Sequence, residues 1–365
     1  MNKVRLGDYV RIRTGKLDAN ASSPDGDYPF FTCAVEPLKI DTYSYDCECV
    51  LVAGNGDLNV KYFNGKFDAY QRTYIIESKD KMCLCVPYLY RFLDNYIDTL
   101  RNQSIGGVIK YIKLGNLTEA PIEIPALETQ TKTVNVLSFL DSLIEKVNQQ
   151  KEKMDELIKS RFVEMFGDII VNSKRWECKV FSEIASSRLG KMLDTKQRTG
   201  QEPYPYLANF NVQWFRFDLS KLNEMDFNEK DRVEFHLEYG DLLVCEGGEI
   251  GRCAIWHNEI ENCYFQKALH RVRCNEDFII PIYLAWWFKF MCDGAGFSDI
   301  EGAKATISHL PGAKLKKLNV VVPPLELQNQ FADFVTQVEK QKATVQQSID
   351  KLETLKKSLM QEYFG

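Results

Sequence analysis

Histidine is scarce. The 365 residues include four, and no two stand at a spacing that would present them to one metal ion. Eleven cysteines occur, but the count is odd, no C-x-x-C pair exists and the spacings form no disulfide framework. The closest pairs, Cys47/Cys49 and Cys83/Cys85, are C-x-C within apolar stretches and are expected at alternate, same-face positions of strands. No metal site is expected, and the free thiols imply a reducing, cytoplasmic setting. No apolar run approaches the ~20 residues of a membrane-spanning helix, and no signal-peptide pattern opens the chain. There is no G-x-S-x-G, no H-E-x-x-H, no G-K-[ST], and no N-P-P-Y-type or glycine-rich methyl-donor stretch. Pro24-Asp25 with Glu77-Ser78-Lys79 has the residue types of a metal-dependent nuclease. The two halves lie too far apart for that pattern, and surface charge explains them more simply.

What is present is a soluble globular composition, 45% apolar and 27% charged, long enough for two domains. The net charge of −5 argues against nucleic acid at the level of the whole chain, so such a function must rest on local patches.

The chain repeats itself. "LIKSRFVEMFGD" runs from Leu157 to Asp168, and "LKKSLMQEYFG" runs from Leu355 to Gly365. Leu157, Lys159, Ser160, Glu164, Phe166 and Gly167 recur as Leu355, Lys357, Ser358, Glu362, Phe364 and Gly365, each 198 positions later, the distance from Gly167 to Gly365. The same offset aligns "IEIPALETQ" from Ile122 with "VVVPPLELQ" from Val320. Upstream the pairing drifts: Gly15-Lys16 faces Gly190-Lys191, "YPF" at Tyr28 faces "YPY" at Tyr204, and "YQR" at Tyr70 faces "FQK" at Phe265. A fixed offset beside a drifting one marks a rigid repeated element next to a loop-rich one.

The rigid element reads as a helix. Neither copy contains glycine or proline between its opening Pro125 or Pro323-Pro324 and its closing Gly167 or Gly365. Three- and four-residue steps select Thr133, Leu137, Leu140, Ile144, Val147, Lys151, Met154, Ile158 and Arg161 in the first copy. In the second they select Phe331, Val335, Val338, Lys342, Val345, Ile349, Leu352, Lys356 and Leu359. That is a coiled-coil seam with a few polar breaks. Each helix should span roughly 35–40 residues, or some 55 Å at ~1.5 Å per residue. A bare helix of that length needs a partner, and an antiparallel pair of the two copies would set the globules at opposite ends.

The variable parts are expected to be mostly β, with runs such as "ECVLVAG", "RTYIIES", "GDLLVCEGG" and "ALHRVRC", and one helix in each from about Val86 and Ile280. "GNGD" at Gly54 and "EGGEIGR" at Glu246 follow apolar strands, but no helix pattern comes after either, so tight hairpins are expected rather than phosphate loops. Positive charge recurs at matching places. Arg5, Arg11, Arg13 and Lys16 answer to Arg188, Lys191, Lys196 and Arg198, and Lys110 and Lys113 answer to Lys304, Lys314, Lys316 and Lys317. Among them stand Asn55, Gln71, Arg72, Asn209, Arg252, Gln266 and Lys267, side chains of the kind that grip phosphates or read base edges. Ordinary solvated faces account for the charge alone equally well; recurrence in both halves favours a shared binding face.

These features resemble the specificity subunit of type I restriction–modification systems. "VVVPPLELQNQF" echoed by "IEIPALETQTK", the two matching helix ends, and "GDLLVCEGGEIGR" with "YFQKALHRVR" carry the resemblance over essentially the whole chain. The first globule departs from it: "GNGD" is shorter than the glycine motif, and "YQRTYII" matches "FQKALHRV" only loosely. The resemblance implies an α+β chain with an internal pseudo-twofold repeat. Target-recognition domains at 1–125 and 168–322 would be joined by conserved spacer helices at 126–167 and 323–365, packed as an antiparallel coiled coil. It implies a non-catalytic subunit that reads a bipartite asymmetric site in double-stranded DNA. Two methyltransferase subunits using S-adenosylmethionine, and restriction motor-nuclease subunits using ATP and Mg²⁺, would supply the chemistry. A coiled-coil interaction scaffold without DNA specificity and an autonomous nuclease are the competing readings.

Overall fold

The computed structural model describes residues 3–192, 200, 203–294, 296–297 and 309–365. The chain divides into two compact units: residues 1–150 with 345–365, and residues 151–344.

In the first unit a six-stranded sheet runs in the order Val10–Thr14, Thr73–Ser78, Tyr45–Ala53, Val60–Ala69, Tyr28–Phe31, Leu38–Ile40. Its ladders are antiparallel except between Tyr28–Phe31 and Val60–Ala69, where Phe30 pairs with Asp68 in parallel. The unbroken apolar run "CVLVA" is explained by burial on both faces of the sheet. Val50 and Val52 pack under the helix Val86–Gln103, against a core holding Leu89, Phe92 and Leu93, whereas Cys49 and Leu51 join Phe31, Phe67 and Ile75 on the other side. "GNGD" forms the hairpin between Tyr45–Ala53 and Val60–Ala69.

The second unit uses related parts. Its main sheet runs Ala185–Leu189, Leu269–Cys274, Leu242–Cys245, Cys253–Ile255, and "EGGEIGR" forms the hairpin of the last two. A separate three-stranded sheet holds Asn223–Asp226, Pro203–Leu207 and Tyr264–Phe265, and it again contains a short parallel pairing, Tyr206 with Tyr264. The helix Pro281–Asp293 contributes Tyr283, Leu284, Trp286, Trp287 and Phe288 to the core.

Two helices of 40 residues each, Leu127–Phe166 and Leu325–Phe364, begin two residues after Pro125 and directly after Pro324. Each is fixed at its start by a fully buried glutamine. Gln130 accepts from the Cys85 amide (3.0 Å) and donates to the carbonyls of Cys83 (2.7 Å) and Pro125 (2.8 Å). Gln328 repeats the clamp, accepting from the Ile280 amide (3.1 Å) and donating to Phe278 (2.9 Å) and Pro323 (2.7 Å). Each glutamine thereby ties the N-terminus of a long helix to the N-terminus of a domain helix, pairing backbone groups that would otherwise be buried alone. Tyrosines on the domain helices reinforce the joint, Tyr88 donating to Glu123 O (3.2 Å) and Tyr283 to Val321 O (2.8 Å).

Each unit also contains the far end of one long helix. In the first unit Phe364 sits 5.1 Å from the Tyr88 ring, and Lys356 Nζ lies 2.7 Å from Asp141. In the second Phe166 sits 4.9 Å from Tyr283 and 5.5 Å from Phe331, and Lys342 Nζ lies 2.6 Å from Asp155. Within each unit the two helical segments therefore run antiparallel. The repeated phrase closes in the same way both times, with an aromatic residue against the tyrosine of a domain helix. Gly167, at φ 76°, ends the first helix where an added Cβ would lie 2.4 Å from Ser173 Oγ.

Leu137, Leu140, Ile158, Phe331, Val335, Val338 and Ile349 are buried, while Ile144, Val147, Met154, Val345, Leu352 and Leu359 are half-buried. Near the C-terminal ends the buried position moves by one residue, to Phe162 rather than Arg161 and to Met360 more than Leu359. A straight helix turning 3.6 residues per turn drifts against a strict 3.5-residue seam, and the shift falls where that drift has accumulated. The expectation for one C-x-C pair is also corrected. Cys47 and Cys49 do lie on a strand, but Cys83 sits in a turn built on Asp80, whose carbonyl accepts from the amides of Cys83 (3.0 Å) and Leu84 (2.9 Å). Cys85 caps the domain helix. No described helix is long and apolar enough to cross a membrane.

Candidate nucleic-acid interface

Four loops of the first unit lie side by side, joined by backbone hydrogen bonds. Gly15 and Lys16 donate to Thr73 O (3.0 Å) and Ala69 O (3.2 Å), and Gln71 donates to Leu17 O (2.9 Å). Gly54 donates to Arg72 O (2.8 Å), Gly56 to Lys110 O (2.9 Å), and Ile112 to Gly54 O (3.0 Å). The approach at Gly15 is so close that a Cβ would lie 2.1 Å from Ala69 O, which is why glycine stands there. The ribbon carries Lys16, Gln71-Arg72, Asn55 and Lys110 on adjoining loops.

The second unit builds the same ribbon. Gly190 and Lys191 donate to Leu269 O (3.0 Å) and Phe265 O (3.1 Å), Lys267 to Lys191 O (2.8 Å), Glu246 to Ala268 O (2.9 Å), and Leu310 to Glu246 O (2.6 Å). These bonds correct the alignment of the central loop by one residue. Ala69 corresponds to Phe265, so Tyr70-Gln71-Arg72 corresponds to Gln266-Lys267-Ala268 and not to "FQK". The shared aromatic-Gln pattern suggested the other register, but the carbonyl that receives the lysine amide fixes this one.

The side chains differ more than the backbones. Arg11, Lys16, Arg72 and Lys110 are exposed, without an ion pair or side-chain hydrogen bond among the described residues, and so is Lys267. Arg13 is engaged by Glu77 at 2.8 Å and lies over the Tyr45 ring (4.8 Å). Gln71 donates to Asp18 Oδ1 (3.0 Å), and Asn55 accepts from the Cys33 thiol (2.8 Å). In the second unit Arg188 pairs with Glu234. Lys191 is largely buried, 2.6 Å from Asp231 and 4.9 Å from the Phe227 ring. Arg252 is mostly buried too, donating to Asn209 O (3.0 Å) and facing Glu249 (3.4 Å), while Asn209 Nδ2 donates to Gly247 O (2.9 Å). Lys191 and Arg252 thus hold loops in place, Arg188 is exposed but paired with Glu234, and Gln266 (half-buried) with Lys267 (exposed) is what the loops of the second ribbon offer outward. Lys196, Arg198 and Lys304 lie outside the described residues.

Burial pushes the Cys245 thiol beneath the second ribbon up to about 11, with Arg252 only partly opposing it. Burial likewise holds His270 below the ordinary histidine range, and its Nε2 lies 2.9 Å from Leu310 O. These groups support the loops from below. Glu77 and Lys79, the best fragment of a nuclease pattern, are occupied: Glu77 by Arg13, and Lys79 by the carbonyls of Gly7 and Asp8, each 3.0 Å away. Among the described residues no group of three or more histidine, cysteine or acidic side chains could hold a metal.

The charge pattern marked Lys110 but not the apolar finger, 105–111, in which it stands. Ile105 and Tyr111 pair across its base, Gly106 turns it at φ 118°, and Val108 and Ile109 stand exposed at its tip. The Gly106-Gly107 pair was the sequence signal for it.

The family model described as "Type I restriction modification DNA specificity domain" matches residues 1–155 and 173–354. The chain belongs to this family. It is 34% identical over 222 residues to the type I restriction enzyme EcoDI specificity subunit of Escherichia coli, a match covering 59% of this chain and 47% of that protein. The chain thus spans about half of that relative's length. A Haemophilus influenzae protein that carries the provisional name of a type I restriction enzyme specificity subunit is 25% identical over 328 residues, covering 86% of this chain and 80% of that one. The fold matches the crystal structure of a type I restriction–modification system S subunit from M. genitalium. The TM-score is 0.60 at 15% identity, over 100% of this chain and 96% of the other.

Proposed function

We propose that this family member is the non-catalytic, DNA-binding specificity subunit of a type I restriction–modification enzyme. In this reading the recognition domains are residues 1–125 and 168–322, each presenting its loop ribbon to one half of a bipartite, asymmetric site in double-stranded DNA. The helices at 126–167 and 323–365 hold the spacing and receive two methyltransferase subunits. Adenine methylation draws on S-adenosylmethionine in those subunits, and cleavage on ATP and Mg²⁺ in restriction motor-nuclease subunits; this chain supplies only the address. The site of action is the cytoplasm, where those partners and their DNA meet.

The observation that carries the reading is the recurrence of one hydrogen-bonded loop ribbon on two globules whose outward side chains differ. A common frame with unlike surfaces is what two readers of unlike half-sites require, since phosphate contacts position a protein and base-edge contacts specify sequence. The candidate contacts are Arg11, Arg13, Lys16, Asn55, Gln71, Arg72 and Lys110 in the first domain. In the second they are Gln266 and Lys267, with Arg188, Arg198 and Lys304 as further contacts and Lys191, Asn209 and Arg252 as loop supports. The test is binding of the chain, assembled with its methyltransferase, to genomic DNA fragments across a salt series. Affinity should fall steeply with salt, and protected fragments should share a split motif. Salt-insensitive or absent DNA binding by a correctly assembled complex would favour the interaction-scaffold reading.

A further inference from the structure

In the second unit Phe215 and Trp286 stack at 4.4 Å and 22° beside a cavity of about 320 Å³. Ile255, Ile282, Thr336 and Glu339 also line it, and so does His257. The first unit shows what such a place can hold. The glutamine clamps align Cys85 with Ile280 and Tyr88 with Tyr283, so Arg91 stands where the second unit has Trp286. The 198-residue offset of the long helices places Ser138 and Asp141 where the second unit has Thr336 and Glu339. In the first unit the guanidinium fills the position from within. Arg91 Nη1 lies 2.6 Å from Asp141, Nη2 donates to Ser138 Oγ at 3.1 Å, and the side chain is buried.

The hydroxyl and carboxylate, three residues apart on one helix face, therefore form a receiver for a guanidinium. The second unit has the receiver without the arginine. Asp141 accepts two cations, Arg91 and Lys356, whereas among the described residues Glu339 faces one, Lys342 at 2.8 Å within its own helix. Thr336 donates its hydroxyl proton to Ala332 O (2.8 Å) and keeps lone pairs free to accept.

We propose that this cavity is a socket for an arginine side chain presented by a partner protein. The apolar walls suit the methylene stem, and the Trp286 and Phe215 rings offer an aromatic face to the planar cation. The Glu339 carboxylate and Thr336 hydroxyl accept its forked donors, as Asp141 and Ser138 do for Arg91. Lysine, a compact and strongly hydrated point charge, fits this shape less well. The carboxylate repels phosphate, so the socket belongs to a protein contact, and it stands or falls independently of the DNA reading.

The test uses the whole chain labelled with 5-fluorotryptophan, the Trp286 ¹⁹F signal being identified by its loss in Trp286→Phe. The peptide N-acetyl-Gly-Arg-Gly-amide is titrated, and its citrulline counterpart serves as the uncharged control. The arginine peptide should move the Trp286 signal saturably. The citrulline peptide, and the arginine peptide with Glu339→Gln, should bind about tenfold more weakly. Glu339 is exposed, so that variant should keep the parent's unfolding temperature. Equal shifts from both peptides, no saturable shift up to roughly 20 mM, or an arginine-selective shift unchanged by Glu339→Gln would each overturn the proposal.

Discussion

Lys16 and Lys191 follow the same glycine in the same loop, their amides donating to carbonyls at corresponding places, yet they do unlike work. Lys16 projects into solvent, whereas Lys191 is pulled inward by Asp231 and the Phe227 ring. The contrast extends along both ribbons, with several unpaired cations outward in the first unit and three cations of the second tied to Glu234, Asp231 and Glu249. A backbone frame can thus be held fixed while its surface chemistry is rewritten. Charge counted along the sequence cannot tell a cation offered to a ligand from one that braces a loop.

The comparison can be broken first at the joint that each unit builds within itself. Phe166 is fully buried against Tyr283, Phe162 and Phe331, whereas Phe364 is half-buried on Tyr88 and Phe92. Phe166→Ala should cost about 4 kcal/mol in denaturant unfolding and Phe364→Ala about half that. Equal losses would mean that the second joint is packed as tightly as the first. Gln130→Ala and Gln328→Ala should each cost about 3 kcal/mol, because each leaves a buried amide and two carbonyls unpaired. A clear inequality between them would show that the clamp is not an equivalent part of both units.

The ribbon lysines sharpen the contrast. Lys191→Ala should destabilise the protein by about 2 kcal/mol by leaving Asp231 without its partner. Lys16→Ala should leave stability within about 0.5 kcal/mol, while lowering the salt slope of DNA binding by about one. Interchanged outcomes would refute the assignment of one lysine to support and the other to contact.

The smallest effect concerns Asp141. Burial raises its pKa, but hydrogen bonds from Lys356 and Arg91 outweigh that and hold it below the ordinary carboxylate range. A carboxyl depressed in the folded state stabilises above its unfolded value and loses that contribution as pH falls through the folded one. The loss therefore begins near pH 4 and grows below it. Asp141→Asn should flatten this part of the acid-unfolding profile by less than about 1 kcal/mol, and an unchanged profile would show that Asp141 is not protected.

Much of the frame was legible because it is written in backbone rules. Pro125 and Pro323-Pro324 mark helix starts, and Gly167 and Gly365 mark the matching closures. Gly15 and Gly190 were visible as a repeated pair, but the close approaches that leave no room for a Cβ there were not. The seam of the long helices was legible until helical drift carried burial from Arg161 to Phe162. Side-chain capture was not legible. Lys191 meets Asp231 across 40 residues, and Arg252 meets Asn209 across 43, on elements whose proximity only folding creates. Cys83 and Cys85 misled because a C-x-C pair fits a turn before a helix as readily as it fits a strand. Gln130 and Gln328 were visible as repeated letters, but their three-way clamps were not.

The most direct test of two readers on one frame is a genome-wide map of N6-methyladenine in a host expressing this chain with the methyltransferase of its system. A second host would carry a version in which residues 168–322 are replaced by those of another family member. The account predicts a split motif that appears only with this chain, and one half of it alone should change on replacement. A single undivided motif, a change in both halves, or no new methylation from a co-purifying complex would contradict it.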